Sequence, residues 1–219
     1  PQQVMDAIRM LNDVGKERGE NGMPFLLPGI NILIGLKGEK KDTYAKNLSF
    51  LKYVLDENLL LRRVNIRQVV WLRGRGKVYT SHFKKFKREV NERINRPMLK
   101  KIVPKGTVLS SVFLEINIGK KTFGRQISSY PLLICLPYEK NTYEFVDVKI
   151  VEHGYRSVTG IEYPLNINEA SMKSLECLPS IGSKRAKRII SNRPFKTLNE
   201  LKKCIDDEVV EEISNWICL

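Results

Sequence analysis

The stretch LPSIGSKRAKRII, residues 178–190, decides the fold of the C-terminal part of this chain. Leu178 and Pro179 are expected to end one short helix. Residues 180–182 then form a tight turn, and a second helix begins at about Ser183. In the second helix an apolar side and a basic side recur at helical spacing. The apolar side holds Ile181, Ala186, Ile189 and Ile190, and the basic side holds Lys184, Arg185, Lys187 and Arg188.

The predicted turn leads directly into a helix, and the start of a helix attracts anions. The first N–H groups of a helix have no partner within it, and the positive end of the helix dipole lies there. Such a terminus is a phosphate site, and four cations in the first turns favour a polyphosphate. Because no side chain here is placed to reach a base edge, we expect contacts with a nucleic-acid backbone. The predicted contact residues are Ser180, Ile181, Gly182, Lys184, Arg185 and Arg188.

A longer stretch around this turn, residues 165–204, resembles the tandem helix-hairpin-helix domain of bacterial DNA-uptake proteins and many repair proteins. The matching positions are Asn168, Ala170, Leu175, Leu178, Pro179, Ile181, Gly182, Ala186, Ile189, Arg193 and Phe195. The first glycine of the family's turn is replaced by Ser180. If that position needs a positive φ, serine costs about 1 kcal/mol or more. The alternative is that the hairpins only pack helices or hold a protein partner.

The charge of the chain favours a polyanionic partner. The 219 residues carry a net charge of +14 at pH 7, and such an excess attracts polyanions. Residues 62–105 contain 15 basic and 2 acidic residues, so almost the whole excess lies in one segment. The alternative is that this run of charges only forms a solvent-exposed face without a partner.

Several further features bear on location and cofactors. No run of ~18 apolar residues exists, which predicts no membrane partner, and no signal peptide is evident, so we expect a cytoplasmic protein. The chain begins Pro-Gln-Gln without Met, which suggests a processed or truncated product. Its four cysteines lack the spacing of metal ligands or of a dense disulfide framework. We therefore expect reduced thiols and no metal site within the chain.

The first 72 residues are predicted to contain a parallel β/α unit. A helix over residues 3–15 has Val4, Ile8 and Leu11 on its apolar side and Gly15 as its C-cap. The apolar run at 30–36 predicts a short buried strand. Asp42 or Thr43 is expected to cap a helix that runs to about residue 57, with Tyr44, Leu48, Leu51 and Leu55 on one side. A second strand is predicted at 62–72, and this strand–helix–strand spacing is typical of parallel pairing.

The stretch at residues 24–51 resembles the second half of the barrel in radical S-adenosylmethionine enzymes. In many of them a strand ends in Gly-Leu-Pro-Gly-Glu-Thr before a helix; Gly35, Leu36, Gly38 and Glu39 match, while Lys37 and Lys40 do not. The resemblance implies that the adenosyl group of S-adenosylmethionine is contacted by Asn31, Leu33 and Gly35. The whole chain resembles the C-terminal portion of archaeal radical proteins that end in a helix-hairpin-helix. The alternative is an ordinary β/α unit.

The same family binds a 4Fe-4S cluster through three cysteines spaced C-x-x-x-C-x-x-C, and this chain does not contain that motif. S-adenosylmethionine and the cluster are therefore expected for a full-length enzyme, and neither can be assigned from this chain alone. No catalytic residue is predicted. The chain is either the C-terminal piece of a longer enzyme or a degenerate relative.

Residues 80–96 are predicted to form a basic connecting helix that Pro97 ends. Its apolar stripe, Phe83, Phe86, Val90 and Ile94, is expected to pack rather than to stack on bases. Outside the stripe, Lys84, Lys85 and Arg88 are predicted nucleic-acid contacts.

Residues 104–164 hold about five short strands, which suggests a small barrel of the oligonucleotide-binding (OB) type. The segment resembles the TRAM domain that follows the barrel in tRNA methylthiotransferases, in Gly106-Thr107-Val108, residues 145–150 and Val158-Thr159-Gly160. In those enzymes the domain holds RNA, and the corresponding candidates are Lys121, Arg125, Tyr155 and Arg156. Basic residues beside aromatics suit single-stranded binding. Alternatively the barrel only braces its neighbours. His153 is expected in a turn.

The predicted fold is α/β plus a small β-barrel plus an all-α module. Its segments are a partial radical S-adenosylmethionine β/α barrel (1–78), the basic helix (79–103), a TRAM/OB-like barrel (104–164) and a helix-hairpin-helix domain (165–219). The expected function is the nucleic-acid-binding portion of a radical enzyme that modifies or repairs DNA or RNA. Alternatives are a non-catalytic DNA-binding protein and a protein-interaction scaffold. The hairpins favour DNA and the barrel favours RNA; the oligomeric state stays open.

Overall fold

The computed structural model describes residues 2–40, 42–70, 80–128 and 131–219. The chain divides into two compact units, Pro1–Pro104 and Lys105–Leu219. The finer division into four segments stays a prediction. No helix in the described ranges is both long enough and apolar enough to cross a membrane.

The first unit contains two strands and a series of helices. In order, they are α1 (Gln2–Gly15), β1 (Gly29–Ile34), α2 (Thr43–Asp56), β2 (Arg63–Gln68), α3 (Thr80–Val90), a π-helical turn (Asn91–Asn95) and α4 (Arg96–Ile102).

Strands β1 and β2 pair in parallel, as the strand–helix–strand spacing predicts. The prediction of a buried β1 is wrong, because only Ile34 is buried and alternate residues face solvent. Leu33, on the outward side, is 49% exposed. A parallel sheet is normally covered on both faces, whereas one face of this pair is open in the described part of the unit. The predicted end of β2 at residues 71 and 72 lies outside the described residues.

The ends of the first two helices differ from the sequence prediction. Gly15 is the last residue of α1 rather than its cap; a Cβ there would lie 2.0 Å from the carbonyl oxygen of Leu26, so close backbone approach requires glycine. Val4 is 47% exposed, and Met5 is buried in its place. Asp42 makes no side-chain cap bond to α2. Its carboxylate lies 2.6 Å from Lys46 Nζ instead.

Two buried asparagines replace missing strand partners in this unit. Asn12 donates to the carbonyl of Leu60 and accepts from its N–H. Asn95 does the same with Val64 at the edge of β2. Because an unpaired buried backbone group is costly, these two amides hold the helices against the strand and the loop that precedes it.

The helical segment that begins at Thr80 runs on to Ile102, so the prediction that Pro97 ends it is wrong. Proline in a helix removes a donor, and its ring clashes with the carbonyl four residues earlier. Here the preceding turn is π-helical, and the N–H of Arg96 bonds to the carbonyl of Asn91. The wider turn relieves the clash and also aims Asn95 at β2.

The second unit begins with a closed five-stranded barrel. Its strands are β3 (Val108–Ile118), β4 (Lys121–Gln126), β5 (Leu133–Leu136), β6 (Phe145–His153) and β7 (Ser157–Glu162). They close in the order β3-β4-β5-β7-β6, with β5 and β7 parallel and the other pairs antiparallel. His153 ends β6 and is buried, so its predicted place in a turn is wrong.

Four short helices and a pair of two-residue strands follow the barrel. They are β8 (Leu165–Asn166), α5 (Met172–Leu175), α6 (Ser183–Ser191), α7 (Leu198–Lys202), α8 (Asp207–Ile213) and β9 (Ile217–Cys218). The two short strands pair in parallel and tie the C-terminus to the start of the module.

Lys149, on β6, joins the barrel to this helical module. Its Nζ donates to the carbonyl of Asn215 at 2.8 Å. It also lies 4.2 Å from the ring centre of Trp216 and 4.7 Å from that of Tyr163. Burial lowers the pKa of Lys149. A desolvated cation over two rings is strongly held, so barrel and helices form one body.

Candidate nucleic-acid interface

The first hairpin has its turn and its second helix where the sequence predicts them, but the prediction that Leu178 and Pro179 end the first helix is wrong, because α5 ends at Leu175. Helix α6 begins at Ser183, and Ser180 has a φ of 55°, the left-handed conformation for which the family's glycine is suited. Ser180, Gly182 and Lys184 are exposed. Ile181 is 4% exposed, and its N–H bonds to the carbonyl of Leu178. Ile181 therefore supports the turn through the core, and its side chain is not available to a ligand.

The start of α6 presents N–H groups that the described chain does not use. The first helical bond runs from Ala186 N–H to the carbonyl of Gly182, and Gly182 supplies no side-chain cap. The N–H groups of Ser183, Lys184 and Arg185 precede that bond, at positions that have no acceptor within a helix. This is the arrangement in which a helix start binds an anion.

Gly182 is not required by the fold of the hairpin. Its φ is −94°, which any residue adopts. A Cβ at this position would meet no described atom within 4 Å. The absence of a side chain thus leaves open space directly beside the exposed N–H groups.

The predicted basic contacts of α6 do not all have the same surroundings. Arg185 is engaged within the protein: its Nε and Nη2 donate to Asp206, and its Nη1 donates to the carbonyl of Ser180. Lys184 and Arg188 are exposed, and within the described residues neither side chain forms a hydrogen bond or a close ion pair, although the charge of Arg188 also acts on Asp206. Arg185 therefore fixes the turn, and Lys184 and Arg188 are accessible to a ligand.

One carboxylate lies close to the start of α6. Ser183 Oγ donates to Glu176 Oε1 at 2.6 Å, and Glu176 is exposed. This negative charge opposes the binding of a phosphate next to Ser183. The effect of Glu176 was not predicted from the sequence, although Glu176 lies only seven residues before Ser183.

The second hairpin, α7 and α8, repeats the backbone of the first with the opposite charge. Val210 N–H bonds to the carbonyl of Asp206, as Ala186 does to Gly182. The first turn of α8 contains Asp207 and Glu208. Carboxylates at a helix start satisfy its dipole themselves, so this hairpin is not suited to phosphate.

Most residues that carry the helix-hairpin-helix resemblance are structural. Asn168 bonds to both backbone groups of Phe195, and Arg193 Nη2 donates to the carbonyl of Ala170. Burial lowers the pKa of Arg193. The apolar matches are buried: Leu175, Leu178, Ile181, Ala186, Ile189 and Phe195. The residues that match the helix-hairpin-helix pattern therefore mainly specify the fold. The surface available to a ligand depends on the few exposed residues of the first hairpin.

The barrel candidates lie on its outer surface. Lys121 and Arg125 are on β4, where Arg125 forms an ion pair with Glu115. Tyr155, 44% exposed, and Arg156 lie in the loop between β6 and β7. The structure also shows a group of aromatic side chains on this surface that the sequence analysis did not identify: Phe113, Tyr143 and Phe145.

The basic segment at residues 62–105 is only partly available for binding. Lys84, Lys85 and Arg88 on α3 are exposed. Lys101 is used internally, because its Nζ donates to the carbonyl of Leu55 and to Asn58. Three further cations of the segment, Arg73, Arg75 and Lys77, lie outside the described residues.

The predicted adenosyl contacts lie together at the open face and C-terminal end of β1. Asn31 accepts a hydrogen bond from Asn65 on β2, and Asn65 also accepts one from Arg63. Leu33 stands two residues further along the same face. Gly35 follows the strand at a φ of 94°, and its N–H donates to Glu39, the acidic residue of the predicted motif.

Comparison with known proteins places a helix-hairpin-helix motif at residues 162–218. This match indicates nucleic-acid binding and covers the module of α5 to α8. An uncharacterized protein of Archaeoglobus fulgidus is 42% identical over 213 residues, which is 92% of this chain and 39% of that protein. An uncharacterized protein of Methanocaldococcus jannaschii is 46% identical over 172 residues, 73% of this chain and 32% of that protein. The chain thus spans well under half the length of these curated relatives.

Proposed function

We propose that the first hairpin binds the sugar–phosphate backbone of a nucleic acid at the start of α6. The observation that carries this proposal is the open space at Gly182 beside unpaired N–H groups. Nothing in the fold of the hairpin requires glycine there, whereas a phosphate that approaches the backbone does.

The side chains around the turn add a modest electrostatic contribution. Lys184 and Arg188 are exposed cations on α6, and Glu176 partly offsets them. Contacts of this kind hold the backbone and carry no sequence information. We therefore expect binding without base preference, and affinity that falls as salt rises.

The test is a charge reversal, Lys184→Glu with Arg188→Glu, measured by the fluorescence anisotropy of a labelled duplex at several salt concentrations. If both cations contact phosphates, affinity falls and the slope of log K against log salt decreases by about 2. Lys16→Glu is the control for a charge reversal at another site, because Lys16 is exposed just after α1 in the other unit and has no predicted contact. An unchanged slope in the double variant removes the hairpin from the interface.

The finer proposal is that this nucleic-acid-binding chain is the C-terminal portion of a radical S-adenosylmethionine enzyme that modifies or repairs DNA or RNA. Support comes from the parallel β1/β2 pair with an open face, and from the loop that Gly35 and Glu39 close. The greater length of the relatives also agrees with a larger enzyme. Asn31, Leu33 and Gly35 would contact the adenosyl group, and Asn65 would orient the Asn31 amide.

The residues fit the two cofactors of such an enzyme unequally. An open face lined by amides suits the polar adenosyl group. In the described ranges, by contrast, no three His, Cys, Asp or Glu residues are grouped as metal ligands. The proposal therefore assigns the 4Fe-4S cluster to another part of a longer protein.

A full-length archaeal relative, prepared without oxygen, tests this finer proposal. The expected results are the visible absorption of a 4Fe-4S cluster and equilibrium binding of S-adenosylhomocysteine that weakens when the asparagine equivalent to Asn31 becomes Ala. A protein without iron would refute the radical enzyme and leave the hairpin proposal unaffected. Parallel titrations with DNA and RNA strands of equal sequence would decide between the substrates that the hairpin and the barrel favour.

A further inference from the structure

Three aromatic side chains form a cluster on the outer surface of the barrel. The ring centres of Phe113 and Phe145 are 5.1 Å apart, and those of Phe113 and Tyr143 are 6.4 Å apart. Tyr143 is 79% exposed and Phe145 is 56% exposed, while Phe113 is half-buried beneath them. Isolated exposed aromatics are common, but here Phe113 contacts both exposed rings, so the three rings form a shared surface.

The backbone that carries the outermost ring is held by hydrogen bonds. Tyr143 N–H bonds to the carbonyl of Leu114 at 2.7 Å, and Leu114 N–H bonds to the carbonyl of Glu144 at 2.9 Å. These two bonds continue the ladder between β3 and β6 and fix the loop that carries Tyr143.

The conformation of Tyr143 is unfavourable for a tyrosine. Its φ is 66°, a left-handed value at which a residue with a Cβ is strained. The ring buries little surface in return, so the stability of the fold does not explain a tyrosine here. Strained residues that persist in this way are found at binding sites.

Cations lie beside the cluster in the strand register. Phe113 is paired with Arg125 on β4 and with Phe145 on β6. Lys121, Phe123 and Arg125 lie on the same side of β4, so a ring lies between two cations along that strand. The Glu115 carboxylate pairs with Arg125, and that of Asp147 accepts the N–H of Ser111.

We infer that Phe113, Tyr143 and Phe145 stack on the bases of a single-stranded nucleic acid. Single strands bind where aromatic rings offer stacking surfaces beside a basic path. The charges next to the rings are largely balanced, so the rings contribute stacking and Lys121 contacts the phosphates. The inference deepens the proposed function: the same compact unit carries the hairpin, and the barrel adds a surface selective for unpaired bases.

The experiment uses the 219-residue chain and a labelled dT oligonucleotide, with a duplex of equal length for comparison. Tyr143→Ala and Phe145→Leu should each weaken single-strand binding about tenfold, the usual effect of losing one stacked base. Duplex binding should stay within twofold of wild type. Ile127→Ala is the matched control, because Ile127 is 80% exposed and has no ring. Tyr143→Phe should retain wild-type affinity.

The salt dependence separates this inference from the hairpin proposal. Loss of a stacking ring should lower single-strand affinity without changing the slope against salt, whereas the hairpin variant lowers the slope. Unchanged single-strand affinity in the Tyr143→Ala, Phe145→Leu double variant overturns the inference, and so does an equal loss on the duplex. If the aromatic double variant loses only single-strand affinity while Lys184→Glu with Arg188→Glu has no effect, the stacking surface stands and the hairpin proposal fails.

Discussion

Replacing Gly182 by alanine separates the folding of the hairpin from its binding. Gly182 is the N-cap of α6 at φ −94° and ψ 178°, and an added methyl would meet no described atom within 4 Å. Alanine in place of glycine at a compatible position stabilises by about 0.4–1 kcal/mol through the unfolded state. Alanine is also a poorer N-cap than glycine by a similar amount. The free energy of unfolding should therefore change by less than about 1 kcal/mol.

The same methyl group should weaken nucleic-acid binding much more. It would stand in the open space next to the N–H groups of Ser183 and Lys184 and keep a phosphate oxygen away from them. A hydrogen bond to a charged group contributes about 1.5–3 kcal/mol. The loss of one such bond weakens binding about tenfold or more.

Urea denaturation and duplex anisotropy on the same preparation measure the two effects. Gly119→Ala is the matched contrast: a methyl there also meets open space, but its φ of 59° makes alanine strained. It should lose stability, by roughly 1 kcal/mol, and keep its affinity. A folded Gly182→Ala protein with wild-type affinity would refute the reasoning, because no phosphate could then lie against the start of α6.

Three further outcomes are expected. Glu176→Gln removes the carboxylate beside Ser183 and should tighten duplex binding a few-fold, most clearly at low salt; weaker binding would place the phosphate elsewhere. The hydrogen bond from Arg185 lowers the pKa of Asp206. The Arg185–Asp206 pair therefore stabilises the fold fully above the usual carboxyl pKa, and this stabilisation is lost as pH falls through the lowered pKa of Asp206. Asp206→Asn should therefore flatten the acid limb of the unfolding curve. Lys149→Met leaves the Asn215 carbonyl unpaired and should cost about 1–3 kcal/mol in thermal or urea unfolding.

The hairpin could be predicted because its signals are local. The turn residues, the helical periodicity and the start at Ser183 all lie within a dozen residues, and the left-handed position of Ser180 follows from the place of the family's glycine. The five barrel strands were predicted for the same reason, because the stretches of strand-forming residues are separated by local turn residues. Their closure into a barrel is observed.

The errors arise where contacts between distant residues decide the outcome. Pro97 does not end its helix, because a π turn accommodates it while Asn95 bonds to β2. The pairing of Arg185 with Asp206, across 21 residues, was not predicted, and the nucleic-acid contact of Arg185 stays a prediction. The ring cluster around Phe113 depends on strand register, which the sequence does not reveal. Assignments to the radical enzyme family stay predictions.

The distribution of charge suggests different roles for the middle segment and for the C-terminal module. Residues 166–219 contain 9 basic and 8 acidic residues, and residues 62–105 contain 15 and 2. Salt-dependent affinity grows with the number of phosphates neutralised. The exposed cations of α6 neutralise few, so the hairpin alone would give a shallow salt dependence. A steep slope for the whole chain would therefore come mainly from the basic segment, while the hairpin fixes where the backbone lies.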